Sequence, residues 1–266
     1  MKALERIFSV AVLGIAAGFA TAYVATSGLI DIEHLGEPRN VIDIDGQTVL
    51  LPRPEANPVR LAPIVVTDAV GSFAFESVGP DGPVLHDPCV AIHWQVSTVG
   101  MPVGAESVAK DAVASVAART GLVFLYDGLT SDEATFEGPL LVHGAVWDYA
   151  PMVIGWANGD SLVDLNGDTT GIGGAHVSPG AYGTQEFLRS GTVILDTSDI
   201  PSVLDSDAYK AKTQAVIMHE LGHVVGLDHV NVVTELMFPS AIGGLTWGSG
   251  DIAGLALAGA GPCEGQ

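Results

Sequence analysis

Apolar and polar positions recur along this chain with two different periods, and the switches between them mark its elements. Over 104–121, "GAESVAKDAVASVAARTG", apolar residues return every three or four positions, which predicts an amphipathic helix ending at Gly121. Short runs rich in β-branched residues predict strands at 89–97 ("CVAIHWQVS"), 151–157, 173–179 and 191–197. "LVFLYDG" predicts another strand, closed by a turn at Asp127–Gly128. A second helix is expected after a cap at Ser206 or Asp207, with Val216, Ile217, Leu221, Val224 and Val225 on helical spacing. A strand–helix–strand opening followed by further strands and helices predicts an α+β domain with a mixed sheet.

The two ends of this pattern differ from its middle. Lys2 and Arg6 precede 24 uncharged residues from Ile7 to Ile30, so 1–30 reads as an export signal peptide or an N-terminal membrane anchor. Either reading puts the rest of the chain outside the cytoplasm, secreted or held at the outer face of the membrane. Residues 31–71 are rich in proline and acids, with one short alternating stretch at "QTVLL", and read as a linker or pro-segment. The folded domain is expected to occupy 72–266.

Composition narrows the partners. The chain is 48% apolar, enough for a sizeable core, and its formal charge of −21 argues against nucleic acid and anionic lipid surfaces. No pattern asks for an oligomer, so a monomer is the default expectation. In an exported protein the two cysteines, Cys89 and Cys263, are expected to pair and tie the start of the domain to its end.

The candidate chemistry lies in "VIMHELGHVVGLDHVNVVTELMFPS", residues 216–240. His219 and His223 are four apart on the second predicted helix, so both imidazoles leave one face about a turn apart. Gly226 suits a chain reversal that ends the helix and returns His229 as a third nitrogen ligand. Three ligands leave the fourth position of a tetrahedral zinc open, as a catalytic site requires. Glu220, next to the first ligand, is placed to act on the metal's water as general base.

The HExxHxxGxxH pattern resembles that of the metzincin zinc endopeptidases, whose motif is followed by a Met-turn. "ELMFP" places Met237 where that turn belongs, and its form is similar to the matrixin branch. "SGDIAGLALAG" (249–259) is similar to the matrixins' last helix, and "GAHVSPG" (174–180) to their cleft-rimming strand, of which Gly174, Ala175, His176 and Val177 would pair with substrate. "DPCVAIHW" and the terminal "GPCEGQ" resemble exported bacterial matrixin-like proteins and agree with a Cys89–Cys263 bridge. The resemblance implies a metzincin-like zincin domain: a twisted mixed sheet, a long active-site helix, a Met-turn and a C-terminal helix. It also implies that Pro239–Ile242 shape the first primed-side pocket.

Departures from the family matter too. Of the family's structural zinc ligands, only His176 has a counterpart, because Ile194 stands in a histidine's place and His143 is followed by Gly-Ala. One catalytic Zn2+ is therefore expected, without a second. The family's acidic calcium positions fall on Asp168, Asp196 and Asp199, so Ca2+ is a candidate there, although such stretches are also ordinary turns. Cys89 lacks the surroundings of a zinc-capping zymogen cysteine. The resemblance thus implies an exported zinc endopeptidase acting on polypeptides. The alternatives are an inactive surface-binding module on the same fold, and a zinc hydrolase of a non-protein substrate.

Overall fold

The computed structural model of the protein describes residues 37–240 and 244–266. The signal or anchor expected at 1–30, the first residues of the linker, and Ala241 and Ile242 of the pocket wall lie outside them.

The domain is built on a six-stranded mixed sheet: β1 (Leu85–His86), β2 (Ile92–Ser97), β3 (Phe124–Thr130), β4 (Met152–Ala157), β5 (Gly171–Pro179) and β6 (Glu186–Asp196). Its order is β5-β6-β4-β2-β3, with β1 pairing in parallel beside the start of β6. Pairs β6–β4, β4–β2 and β2–β3 are parallel, and only β5 runs antiparallel, at the edge. Among the described residues three α-helices complete the domain: α1 (Ala105–Thr120), α2 (Asp207–Val224) and α3 (Ser249–Ala258).

Both expected helix boundaries rest on local chemistry. Gly121 ends α1 in the left-handed conformation, at φ 70°, and the Ser206 side chain accepts the Tyr209 N–H to start α2. The pair Asp127–Gly128 does not close β3 as expected. β3 runs through it to Thr130, with Gly128 at φ 102° and a register shift against β2, so the glycine makes a bulge instead of a turn.

The core lies where α1 and α2 meet the sheet. Val96, Ile154 and Leu195 of the strands face Val116, Ile217 and Leu221 of the helices, and all six are buried. Parallel strands covered by helices explain the near-continuous apolar runs in β4 and β6.

The packed region begins upstream of Phe73, where the compact domain was expected to start. A hairpin of Val41–Ile44 and Gln47–Leu50 shares a small core with a second hairpin, Leu141–His143 and Trp147–Tyr149. Leu51 and Leu141 are fully buried there. Further along, Arg60 donates to the carbonyls of Gly259 and Gly261, and Leu61 N–H to Pro88 O. None of residues 37–71 lines the histidine cleft.

Candidate metal centre

α2 carries His219 and His223 on one face, and its geometry is fixed from below. Met237 is 1% exposed and lies against Gly222: a Cβ at Gly222 would come within 2.4 Å of the methionine sulfur. The glycine inside the motif is therefore a packing requirement of the Met-turn. Past Val224 the chain reverses at Gly226, whose φ of 98° suits glycine, and Leu227–Asp228 pair with Ala74–Phe75. The reversal delivers His229.

The three rings converge. His229 Nε2 lies 3.0 Å from His219 Nε2 and 3.2 Å from His223 Nε2. Nitrogens bound tetrahedrally at ~2.0–2.1 Å from one zinc stand about 3.3 Å apart, so the spacing fits that ion. Proton positions agree. His219 Nδ1 donates to Leu236 O at 2.6 Å and His223 Nδ1 to Leu227 O at 2.9 Å, which leaves the Nε2 lone pairs of both rings facing the common centre. Glu76 Oε1 lies 2.9 Å from the same Nδ1 of His223.

Burial and the charge of a neighbouring ring keep two of the three imidazoles neutral, the form that can bind a metal. Burial holds His219 down to about 4 and also lowers His229, with the charge of His223 adding in both cases. Burial acts the same way on His223, yet the bond to Glu76 and the charges of Glu220 and Glu76 raise it overall. Glu220 is 5% exposed, beside Gly171 of β5, where a Cβ would fall 2.9 Å from its Oε1. Burial pushes its carboxyl up to about 7, and the charge of Glu76 adds to the rise.

The Met-turn is held by buried carboxylates at the start of α3. Asp251 accepts the N–H groups of Leu236, Met237 and Gly248, and Glu235 accepts the N–H of Asp251. Leu236 thus links the two layers: its N–H bonds Asp251 and its carbonyl orients His219. Asp251 was visible in the sequence as part of the last helix. Glu76 carried no motif, and only the pairing of Ala74–Phe75 with Leu227–Asp228 brings it to the site.

The histidines open into a cleft of about 470 Å³, walled by Gly171–Gly173 of β5 on one side and Phe238–Ser240 on the other. Pro239 and Ser240 of the expected pocket wall therefore line it. Gly174, Ala175, His176 and Val177 continue along β5, which among the described residues pairs with β6 on one side only, with a bulge between Gly174 and His176. His176 lies opposite Arg189 of β6 and is held below its ordinary pKa by burial.

Cys89 and Cys263 meet as a disulfide with Cα atoms 5.4 Å apart. The calcium expectation finds no support. Asp168, Asp196 and Asp199 are not among the described groups whose ligand atoms gather within 4.8 Å, and two of them are bonded within the protein. Asp196 accepts the Ser198 N–H at 2.7 Å, and Asp199 accepts the Thr170 hydroxyl at 3.2 Å. The first is the Asx bond of an ordinary reversal, and the second ties that reversal to the residue before β5.

Residues 140–246 match the matrixin family model, so this part of the chain is matrixin-like. The match contains all three histidines, Glu220 and Met237. Among solved structures, archaemetzincin from Methanopyrus kandleri is 14% identical, with a TM-score of 0.39 over 63% of this chain and 94% of that one. The GM1-bound form of the ECX AB5 holotoxin is 13% identical, with a TM-score of 0.29 over 56% of each chain. The curated proteins hold no match.

Proposed function

We propose that this matrixin-like chain is an exported, zinc-dependent endopeptidase, in which His219, His223 and His229 hold one zinc and Glu220 is the general base. The observation that carries the reading is the convergence of three Nε2 atoms beside a buried carboxylate at the floor of an open cleft. Three neutral imidazoles suit zinc, and a histidine-only set leaves a position for water. When bound, zinc acidifies that water and polarises the scissile carbonyl.

The remaining work belongs to the protein. Glu220 lines the same cleft as the three rings and would take the proton of the attacking water and return it to the leaving amine. Burial raises its carboxyl in the metal-free site, and the charge of a bound zinc would favour the ionised, proton-accepting form. A peptide in the cleft would add to the free side of β5 at Gly174–Val177, held by main-chain hydrogen bonds while pockets select side chains. An open cleft beside an unpaired strand edge fits a polypeptide better than a small closed substrate. Export rests on the N-terminal sequence, as does attachment to the outer face of the membrane if the first segment is retained.

Glu220→Gln tests the reading. The variant is expected to keep its zinc and its fold while losing peptide hydrolysis by at least ~100-fold, since only the proton acceptor is removed. Hydrolysis at the parent's rate would exclude Glu220 as the base. A parent that binds zinc and cleaves no polypeptide, in a screen with and without chelator, would leave a binding module or a hydrolase of another substrate class.

A further inference from the structure

Glu76 lies 143 residues before His219 and outside every motif, yet the fold holds it against the zinc site. The segment that carries it is fastened along its length. Ser72 packs so closely on α3 that a Cβ at Gly250 would fall 2.0 Å from Ser72 O. Phe73 lies beside Gly254 in the same helix. Ala74 and Phe75 pair with Asp228 and Leu227, and the Glu76 N–H donates to Gly226 O at 3.0 Å. The backbone of Glu76 is thus bonded to the glycine that ends α2, which aims its side chain at the ligand helix.

We propose that Glu76 is a positioning residue for the metal, acting through His223 as the outer carboxylate of a carboxylate–histidine–zinc relay. Its Oε1 lies 2.9 Å from His223 Nδ1, behind the ring, while Nε2 faces the common centre. Glu76 is absent from the group of ligand atoms gathered within 4.8 Å, so it is not itself a ligand. Leu227 O stands at the same 2.9 Å and can hold the ring's orientation alone. The carboxylate adds negative charge beside the Nδ1–H that Leu227 O accepts, which raises the donor strength of Nε2. His219 has only a backbone carbonyl in the equivalent place, so the relay distinguishes His223 from His219.

The inference rests on the zinc-site reading for His223 but not on peptide hydrolysis. The test compares the full chain with Glu76→Ala and Glu76→Gln. It measures zinc affinity by competition with a chromophoric chelator, and the thermal midpoint of chelator-stripped protein. Glu76→Ala is expected to weaken zinc binding by ~10–100-fold, the range for lost outer-shell partners. Glu76→Gln, which keeps an acceptor oxygen without the charge, is expected to fall between the two. Both stripped variants should melt within about 2–4 °C of the parent, since a carboxylate that is 40% exposed contributes little to the metal-free fold. Parent-like zinc affinity in Glu76→Ala overturns the proposal. So does a larger drop in the stripped midpoint that tracks the affinity, because Glu76 would then be holding the loop and not tuning the metal. If the affinities order as expected but no polypeptide is cleaved, the endopeptidase reading falls and the role of Glu76 stands.

Discussion

His86 shows how far burial alone moves a group remote from the proposed chemistry. It is 4% exposed, its Nε2 lies 2.9 Å from Val224 O, and burial holds it down to about 4, with the charge of Arg189 adding to the effect. The unfolded chain takes up a proton at this ring near ~6.5, whereas the folded chain refuses it until about 4. Stability from this group is therefore complete above 6.5, falls as the pH drops towards 4, and levels off below. The loss amounts to about 3 kcal/mol at most. His86→Gln keeps a donor for Val224 O without a titrating ring. Denaturant unfolding of stripped protein at pH 7 and pH 4.5 should show a smaller acid loss in the variant than in the parent. Equal losses would mean that His86 is not the group responsible.

At the scale of elements, the contact between β5 and α2 sets the shape of the cleft. A Cβ at Gly173 would lie 2.2 Å from Glu220 O, a backbone atom of the helix that neither element can move aside. A Cβ at the next residue, Gly174, would meet Phe136 Cε1 at 3.5 Å, an ordinary contact on the other face of the strand. Gly173→Ala is therefore expected to cost ~1–3 kcal/mol of stability, as overpacking does, and to lower kcat/KM by displacing Glu220. Gly174→Ala should leave the thermal midpoint near that of the parent. If the two variants behave alike, the strand–helix approach is not set by the missing side chain. The sequence predicted both elements but not this contact, because nothing in "GIGG" says which glycine faces the helix.

Over the described molecule, residues 263–266 clasp the sheet and the segment that leads into it. Cys263 is bonded to Cys89 across 174 residues, and Glu264 beside it pairs with the buried Arg189 and accepts the Ala181 N–H. The Glu264 N–H donates to Asp87 Oδ2 at 3.2 Å, and the Gln266 side chain reaches Pro58 O. Replacing both cysteines with serine is expected to lower the unfolding free energy by about 2–5 kcal/mol, mainly by freeing the unfolded chain. Zinc content should not change, because the bridge lies outside the histidine cluster. Denaturant titration and metal analysis check both. A stability equal to the parent's would mean that the polar clasp alone closes the domain, and lost zinc would mean that the ends support the site.

The sequence by itself determined whatever depends on neighbours within a turn or two. His219 and His223 share a face because they are four apart, Gly226 ends the helix because it tolerates a positive φ, and α1 stops at a glycine. Each is a local condition that a few residues satisfy. Of the hairpins at 41–50 and 141–149 only the alternation at "QTVLL" was legible, since strands of three or four residues carry too little period to be distinguished from loops. The tertiary structure alone decided that Asp199 bonds Thr170, that Asp127–Gly128 bulges inside a strand, and that Glu76 stands behind His223. In each case the deciding partner is distant in the chain: the β2 register for the bulge, Thr170 for Asp199, and Gly226 for Glu76. Strand pairing and helix packing bring such partners together, and no pattern along the chain records them.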